Sequence, residues 1–385
     1  MINAIPKFKL NSFNEWGKLR EVVVGNPFPS DSILIDYSFC HFNFDNINEH
    51  LDLIAKDHLA QDSNYNQIHF RPQYLAELKE DIDELVSALS SNGVSVLRPT
   101  QIDIKNNSIT TPYWSSSIWP ALNVRDRFLI LGSNIIETPP CIRARYFETD
   151  LLKPILYPLF MSGAMWYVMP KPIMTDLSFD KTYIDGSINK TASREFISHR
   201  KTNYYDIGLE IIMDAANCLR VGKDVLVNVS DKNQYLAFKW LEKCLGSQFN
   251  FHMLDSVTDN HIDSYIIIIR PGLVMVRNKK VLDKMPARMK SWKYIIAPEA
   301  QDSVFPQYES DSLVITSKYI DTNILSLDEN KVIANSLNLE LIRLLEKNGV
   351  EVVPVRHRHR RLFGGGFHCF TLDLYRDSEC ISYLD

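Results

Sequence analysis

The chain has 385 residues, 45% of them hydrophobic and 23% charged, with a formal net charge of −5. That is enough apolar material to bury a large core without disulfide or metal support. Acidic and basic residues are mixed without a basic excess, which argues against a nucleic-acid partner. No stretch approaches the roughly 18 apolar residues of a membrane span. The six cysteines, Cys40, Cys141, Cys218, Cys244, Cys369 and Cys380, form no CxxC pair. Neither a zinc ribbon nor a disulfide framework is expected, and most free cysteines of this kind read as small buried hydrophobes. The N-terminus lacks an apolar core of signal-peptide length, so a soluble protein of the reducing cytoplasm is expected.

In chain order, LREVVVGNP near the start reads as a buried strand. Residues 72–92 place Leu75, Leu78, Ile82, Leu85, Val86 and Leu89 on one helical face, and Gly93 stops the helix before a strand at 94–97. Four apolar hairpins follow, at 127–137, 218–229, 265–276 and 323–334, each turning at Gly, Asp, Asn or Pro. Helix-then-strand endings recur at 162–170, 245–254 and 291–298, and a second clear helix spans 337–347 before VEVVPV. The pattern amounts to about five hairpin–helix–strand units of an α/β protein. Closure around a pseudo-rotation axis would leave fewer exposed edges, with a doubly wound open sheet as the other arrangement. No linker divides the chain, so residues 1–385 read as one domain. No Gly-x-Gly-x-x-Gly follows a strand and no Walker lysine motif occurs.

Four clusters stand at the entrances to these strands. FGGGFHCF, 363–370, puts three glycines before His368 and Cys369, where backbone must bend sharply or approach a ligand. In extended backbone neighbours face opposite ways, so His368 and Cys369 are not expected to act together. His261 and Asp263, two apart, share one face of an extended segment. Asp214 is followed by two small alanines and Asn217, and Asp126 lies in the charged NVRDR segment. Each cluster alone also fits a bland reading: a loop before a buried cysteine, a strand end, an ordinary turn. Together they supply what attack on a guanidinium carbon needs. Carboxylates hold the planar cation, a thiolate attacks and a histidine protonates the leaving amine.

With these residues in view, the sequence resembles the glycine amidinotransferase family, including inosamine-phosphate amidinotransferases. The resemblance is carried by NSFNEWGKLREVVVG, NVRDRFLILGSNIIETP, RARYFE, MPKP, MDAANCLRVGKDVLV, HID and LFGGGFHCFTLDLYRD. It implies a five-bladed α/β propeller of pentein type. It also implies that Cys369 is the nucleophile, His261 the acid and base, and Asp214 the residue that orients His261. Asp126 and Asp263 would clamp the guanidinium, and Lys280, Arg277, Ser317 and Asn217 would bind substrate. L-arginine is the implied donor and a small-molecule amine the acceptor, with no metal or organic cofactor; a homodimer is left open. Members with DAAD contrast with DAAN here, and VRNKKVL stands where glycine-specific members carry an arginine. A larger acceptor than glycine is therefore expected, with arginine:glycine transfer or guanidine hydrolysis as alternatives. The basic run RHRHRR, 356–361, reads as a solvated loop, a lid or an attractor of anions.

Overall fold

The computed structural model describes residues 5–28, 32–36, 38–39, 66–101, 108–180, 208–258, 261–299, 305–306 and 316–385. Cys40 lies outside them.

The expected hairpins form, and each gains a third strand. Phe128–Leu131 pairs antiparallel with Asn134–Glu137, which pairs parallel with Met165–Val168. Cys218–Val221, Asp224–Val229 and Asn250–Asp255 repeat this arrangement. So do Ile266–Arg270, Leu273–Val276 and Lys293–Ile296, and then Leu325–Asp328, Lys331–Asn335 and Glu351–Val355. The two hairpin strands are buried along nearly their whole length, which is why they read as unbroken apolar runs rather than alternating ones. A fifth three-stranded sheet joins the two ends of the chain. Lys18–Val24 pairs parallel with Ser95–Leu97 and antiparallel with Thr371–Asp377. The last long strand thus takes the place that a hairpin partner takes in the other four sheets. Two small sheets, Ser32–Ile35 with Asn66–His69 and Ser108–Thr110 with Ser115–Ser117, complete the strands of the described residues.

Helices pack beside the sheets with their apolar faces inward. Pro72–Ser91 starts with proline, where the missing N–H has no partner to lose, and buries Leu78, Ile82, Leu85 and Leu89. Each such side chain contributes about 1.5–3 kcal/mol on burial. The chain leaves the helix through Gly93 at φ 77°. Leu339–Lys347 is capped by Asn338, whose Oδ1 accepts from the Leu341 N–H at 3.1 Å.

Four short 3-10 turns position the chemistry. Val124–Asp126, Ala215–Asn217, Ile262–Ser264 and Ile320–Thr322 each lie directly before the first strand of a hairpin. Successive turns in this series touch one another. A fifth turn, at 367–370, precedes the strand that completes the first sheet. Beneath the turns lies a buried ion network. Asp373 accepts from Arg125 at 2.8 Å, Arg220 at 2.5 Å and Arg376 at 2.8 Å, while Glu15 holds Arg220 at 2.8 and 2.5 Å.

The basic run at 356–361 docks against the acidic residues of the Pro72–Ser91 helix rather than forming a solvated loop. Arg356 meets Glu84 at 2.6 Å, Arg358 meets Glu80 and Asp81 at 2.7 and 2.9 Å, and buried His359 meets Glu77 at 2.6 Å. Arg360 is buried with its guanidinium 3.9 Å from the Phe305 ring centre. Partners some three and four residues apart on one helical face are what a sequence-local reading of the run omits. The cysteines divide: Cys141, Cys218 and Cys369 are buried, whereas Cys244 and Cys380 are exposed.

Candidate active site

Cys369 lies in the turn at 367–370, 3% exposed, and its backbone is held from a neighbouring unit. Asn323 Oδ1 accepts from the N–H of Cys369 at 2.9 Å and of Gly366 at 3.2 Å. The glycines are required by crowding. Gly365 has φ 80°, and a Cβ there would come within 2.2 Å of Asn123 Oδ1 and 2.9 Å of the Cys369 Cβ. The glycines thus let Asn123 and Asn323, from two neighbouring units, approach the backbone just ahead of Cys369.

Asp263 reaches the thiol from the Ile262–Ser264 turn. Its Oδ2 lies 3.4 Å from Cys369 Sγ and also accepts from His368 Nδ1 at 2.7 Å. Because 367–370 is a turn and not extended backbone, His368 and Cys369 converge on one carboxylate, contrary to the expectation that they face apart. His261 and Asp263 do share a side, but through the 3-10 turn rather than an extended segment. His261 caps that turn, lines the cavity, and places Nε2 3.1 Å from Asp214 Oδ2. Its Nδ1 is 3.6 Å from Asp126 Oδ1. Donor atoms of Asp126, His261 and Cys369 all lie within 4.8 Å of one another. This is the donor set among the described residues that could hold a metal ion.

Asp126 and Asp214 are themselves held by arginines. Arg145 Nη1 donates to Asp126 Oδ2 at 2.6 Å and its other nitrogens grip Glu148 at 2.5 and 3.0 Å. Arg127 Nη1 lies 3.4 Å from Asp214 Oδ1, which also accepts from the Cys141 N–H at 3.3 Å. One oxygen of each clamp candidate is left over. Asp126 Oδ1 and Asp263 Oδ1 are buried and accept no hydrogen bond within the protein. Buried carboxylate oxygens without donors are costly unless a ligand completes them.

The charges set the proton inventory. Burial opposes the charged form of His261, but the Asp126, Asp214 and Asp263 carboxylates outweigh it and push the imidazole up to about 9. Burial likewise opposes Asp214, yet the His261 hydrogen bond with Arg145 and Arg127 holds it down at about 2. Asp263 is lowered against burial by its His368 bond, whereas burial wins at Asp126 and raises it. Burial and then the Asp263 and Asp126 carboxylates drive the Cys369 thiol well above its ordinary value. Near neutral pH these surroundings therefore keep the thiol protonated and His261 charged.

The cavity that these groups share continues to Arg277 and an aromatic side formed by Phe39, Trp119 and Phe363. Arg277 is stacked between Tyr265 and Tyr319, at 4.4 and 4.5 Å from the ring centres, and donates to Ser317 Oγ at 2.9 Å. Lys280 is elsewhere: it is exposed in the short helix Lys279–Lys284, its N–H bound to Asn278 Oδ1 at 3.0 Å. Asn217 is buried beside Asn228, at 3.0 Å, and does not line the cavity.

No protein-family model matches the chain. Individual relatives do. Inosamine-phosphate amidinotransferase 1 of Streptomyces glaucescens is 32% identical over 375 residues, 96% of this chain and 97% of that protein. The chain belongs to the amidinotransferase family. An L-arginine:L-lysine amidinotransferase of Pseudomonas savastanoi pv. phaseolicola is 33% identical over 318 residues, covering 81% of this chain and 83% of its own. Among solved structures, the inosamine-phosphate amidinotransferase of Streptomyces griseus superposes with a TM-score of 0.79 at 31% identity, over 98% of this chain and 99% of that one. This amidinotransferase is thus a transferase with a cysteine, a histidine and aspartates gathered at one cavity. No helix of the described residues is long and apolar enough to cross a membrane. Glu15, Asn123, Arg145 and Asn323 complete the site without a role read from the sequence, and His368, expected to face away, joins them. Glu15, Asn123, Arg145 and His368 all stand in segments that carry the resemblance, whereas Asn323 stands only at the start of an expected hairpin.

Proposed function

We propose that the protein transfers the amidino group of L-arginine to an amine acceptor through a covalent amidino adduct on Cys369, releasing ornithine. The observation that carries this reading is that Asp126 and Asp263, each with a buried Oδ1 that accepts no hydrogen bond in the protein, line one cavity with Cys369 and His261. A planar guanidinium supplies N–H donors to both. Its charge offsets the two carboxylates that keep the thiol protonated, so donor binding itself favours the thiolate. Sulfur then bonds to the guanidinium carbon and the bond to the ornithine nitrogen breaks. His261 gives that nitrogen a proton and is recharged from the thiol, so the proton leaving Cys369 is, in balance, the one ornithine carries away. An incoming amine attacks the same carbon, sulfur leaves, and the amine's proton returns by way of His261 to the thiolate. Asp214 keeps His261 oriented and charged for the first half.

We assign the donor carboxylate to Arg277 and Ser317, since both line the cavity and Lys280 does not. Stacking between two tyrosines presents the guanidinium edge as a planar fork. The acceptor in this reading is a larger amine than glycine, drawing affinity from Phe39, Trp119 and Phe363. We take the five three-stranded sheets to be the blades of a pentein-type propeller with the five turns gathered at its axis. The relatives are named for an inosamine phosphate and for lysine; the acceptor here is to be found by measuring ornithine release with arginine and a panel of amines.

The decisive experiment is incubation with arginine and no acceptor, followed by acid quench and mass analysis. An amidino group on the Cys369 peptide is expected, and Cys369→Ala should lose turnover by orders of magnitude. An adduct on a different cysteine, with the alanine variant still active, rejects the assignment. Citrulline in place of ornithine identifies a hydrolase instead.

A further inference from the structure

We infer that His368 is a positioning residue that fixes the Asp263 carboxylate, so that one oxygen faces the thiol and the other the donor. This rests on the reading above, in which Asp263 clamps the guanidinium. A carboxylate torsion is broad and roughly two-fold, so Asp263 alone does not choose which oxygen meets the sulfur. His368 Nδ1 removes that freedom by donating to Oδ2 at 2.7 Å, the oxygen that also lies 3.4 Å from Cys369 Sγ. Oδ1 is then the oxygen left without a donor in the protein.

The imidazole is itself held on every side. Its Nε2 lies 3.1 Å from Glu15 Oε2. Glu15 is gripped by Arg220 through Nε at 2.8 Å and Nη2 at 2.5 Å, and Arg220 in turn meets Asp373 at 2.5 Å. The His368 backbone is tied as well: its N–H donates to Asn323 O at 3.2 Å and its carbonyl accepts from Arg125 Nε at 3.0 Å. Every member of this chain of contacts is buried. An ordered path therefore runs from Arg220 through Glu15 and His368 to Asp263, and it ends on the atom beside the nucleophile. The two ring nitrogens of His368 thus each meet a carboxylate, Asp263 on one side and Glu15 on the other. His368 is not among the residues that line the cavity, so it acts through Asp263.

Two amide substitutions separate this role from packing. In His368→Asn the side-chain amide nitrogen takes the place of Nδ1 and can still reach Asp263. In His368→Gln it takes the place of Nε2 and reaches Glu15 instead. His368→Asn should keep kcat/KM for arginine within about threefold of wild type, while His368→Gln should lose about thirtyfold or more, chiefly in KM and in adduct formation at limiting donor. A role in filling space predicts the reverse, because glutamine is nearer to histidine in size. Equal losses in the two variants, or a better glutamine variant, overturn the proposal if wild type forms the adduct. If His368→Gln does not fold, a folded but inactive His368→Asn is enough to overturn it. Adding His368→Gln to Asp263→Asn should change kcat/KM little further, since the carboxylate to be positioned is already gone; full additivity overturns the coupling. Absence of any adduct in wild type rejects the amidino-transfer reading itself.

Discussion

His261 is charged in the free enzyme because three carboxylates surround it, and this makes a signed pH prediction. A raised histidine value means the proton is present below about 9 and is lost above it. The donor kcat/KM reports the free enzyme, so its basic limb should fall near that pH, the departing amine then lacking an acid. The charge of Asp126 is the largest single cause that raises His261, so Asp126→Asn should move the limb toward neutrality as well as weaken donor binding. A limb that stays in place on removal of Asp126 would show that another group is titrating. Stability follows the same sign. The charged His261 contributes fully below the ordinary histidine value, and the contribution is lost as pH rises through about 9.

At the scale of single elements, the turn before the nucleophile is the least tolerant. Gly365→Ala adds a Cβ that meets Asn123 and the Cys369 Cβ at a positive φ. It should destabilise by more than about 1 kcal/mol and slow adduct formation by at least about tenfold, since displacement of the thiol is penalised steeply. Gly93→Ala is the control: φ is 77° there too, but nothing lies within 4 Å of the added carbon. Its effect should be confined to about 1 kcal/mol of stability, read by urea unfolding, with turnover unchanged. The hairpins and the helices Pro72–Ser91 and Leu339–Lys347 were legible in the sequence because their signals are local: apolar runs, turn residues between them, a 3.6-residue stripe and a stopping glycine. The 3-10 turns that aim Asp126, Asp214 and Asp263 were not, since three residues carry no periodicity. The pairing of the 356–361 run with Glu77, Glu80, Asp81 and Glu84 was hidden for another reason. It joins segments some 270 residues apart, and only the packed fold supplies the acidic partner. His368 was misjudged by applying strand geometry to a turn.

At the scale of the whole molecule, the sheet that joins the chain ends also carries the nucleophile, and Asp373 is the residue that ties the two together. It sits in the Thr371–Asp377 strand, four residues after Cys369, and accepts from Arg125, Arg220 and Arg376, all buried. Burial opposes its charge, but the three guanidinium groups prevail and hold it well below the ordinary carboxylate range. The anion is therefore required for the arginines as much as they are for it. Removing one partner of such a network leaves uncompensated buried charge, which typically costs about 3–5 kcal/mol. Asp373→Asn keeps the shape and removes the charge, so its urea midpoint should fall by an amount equivalent to about 3 kcal/mol or more. Activity should decline in step with the folded fraction rather than through a changed pH profile. Wild-type stability should decay as pH falls below the ordinary carboxylate value, since a depressed carboxyl contributes above that value and loses its contribution on protonation. The variant should show a weaker acid dependence. An Asp373→Asn protein that unfolds at the wild-type midpoint, with the same acid dependence, would mean that the joined ends are held by strand pairing and apolar packing without help from the buried ions.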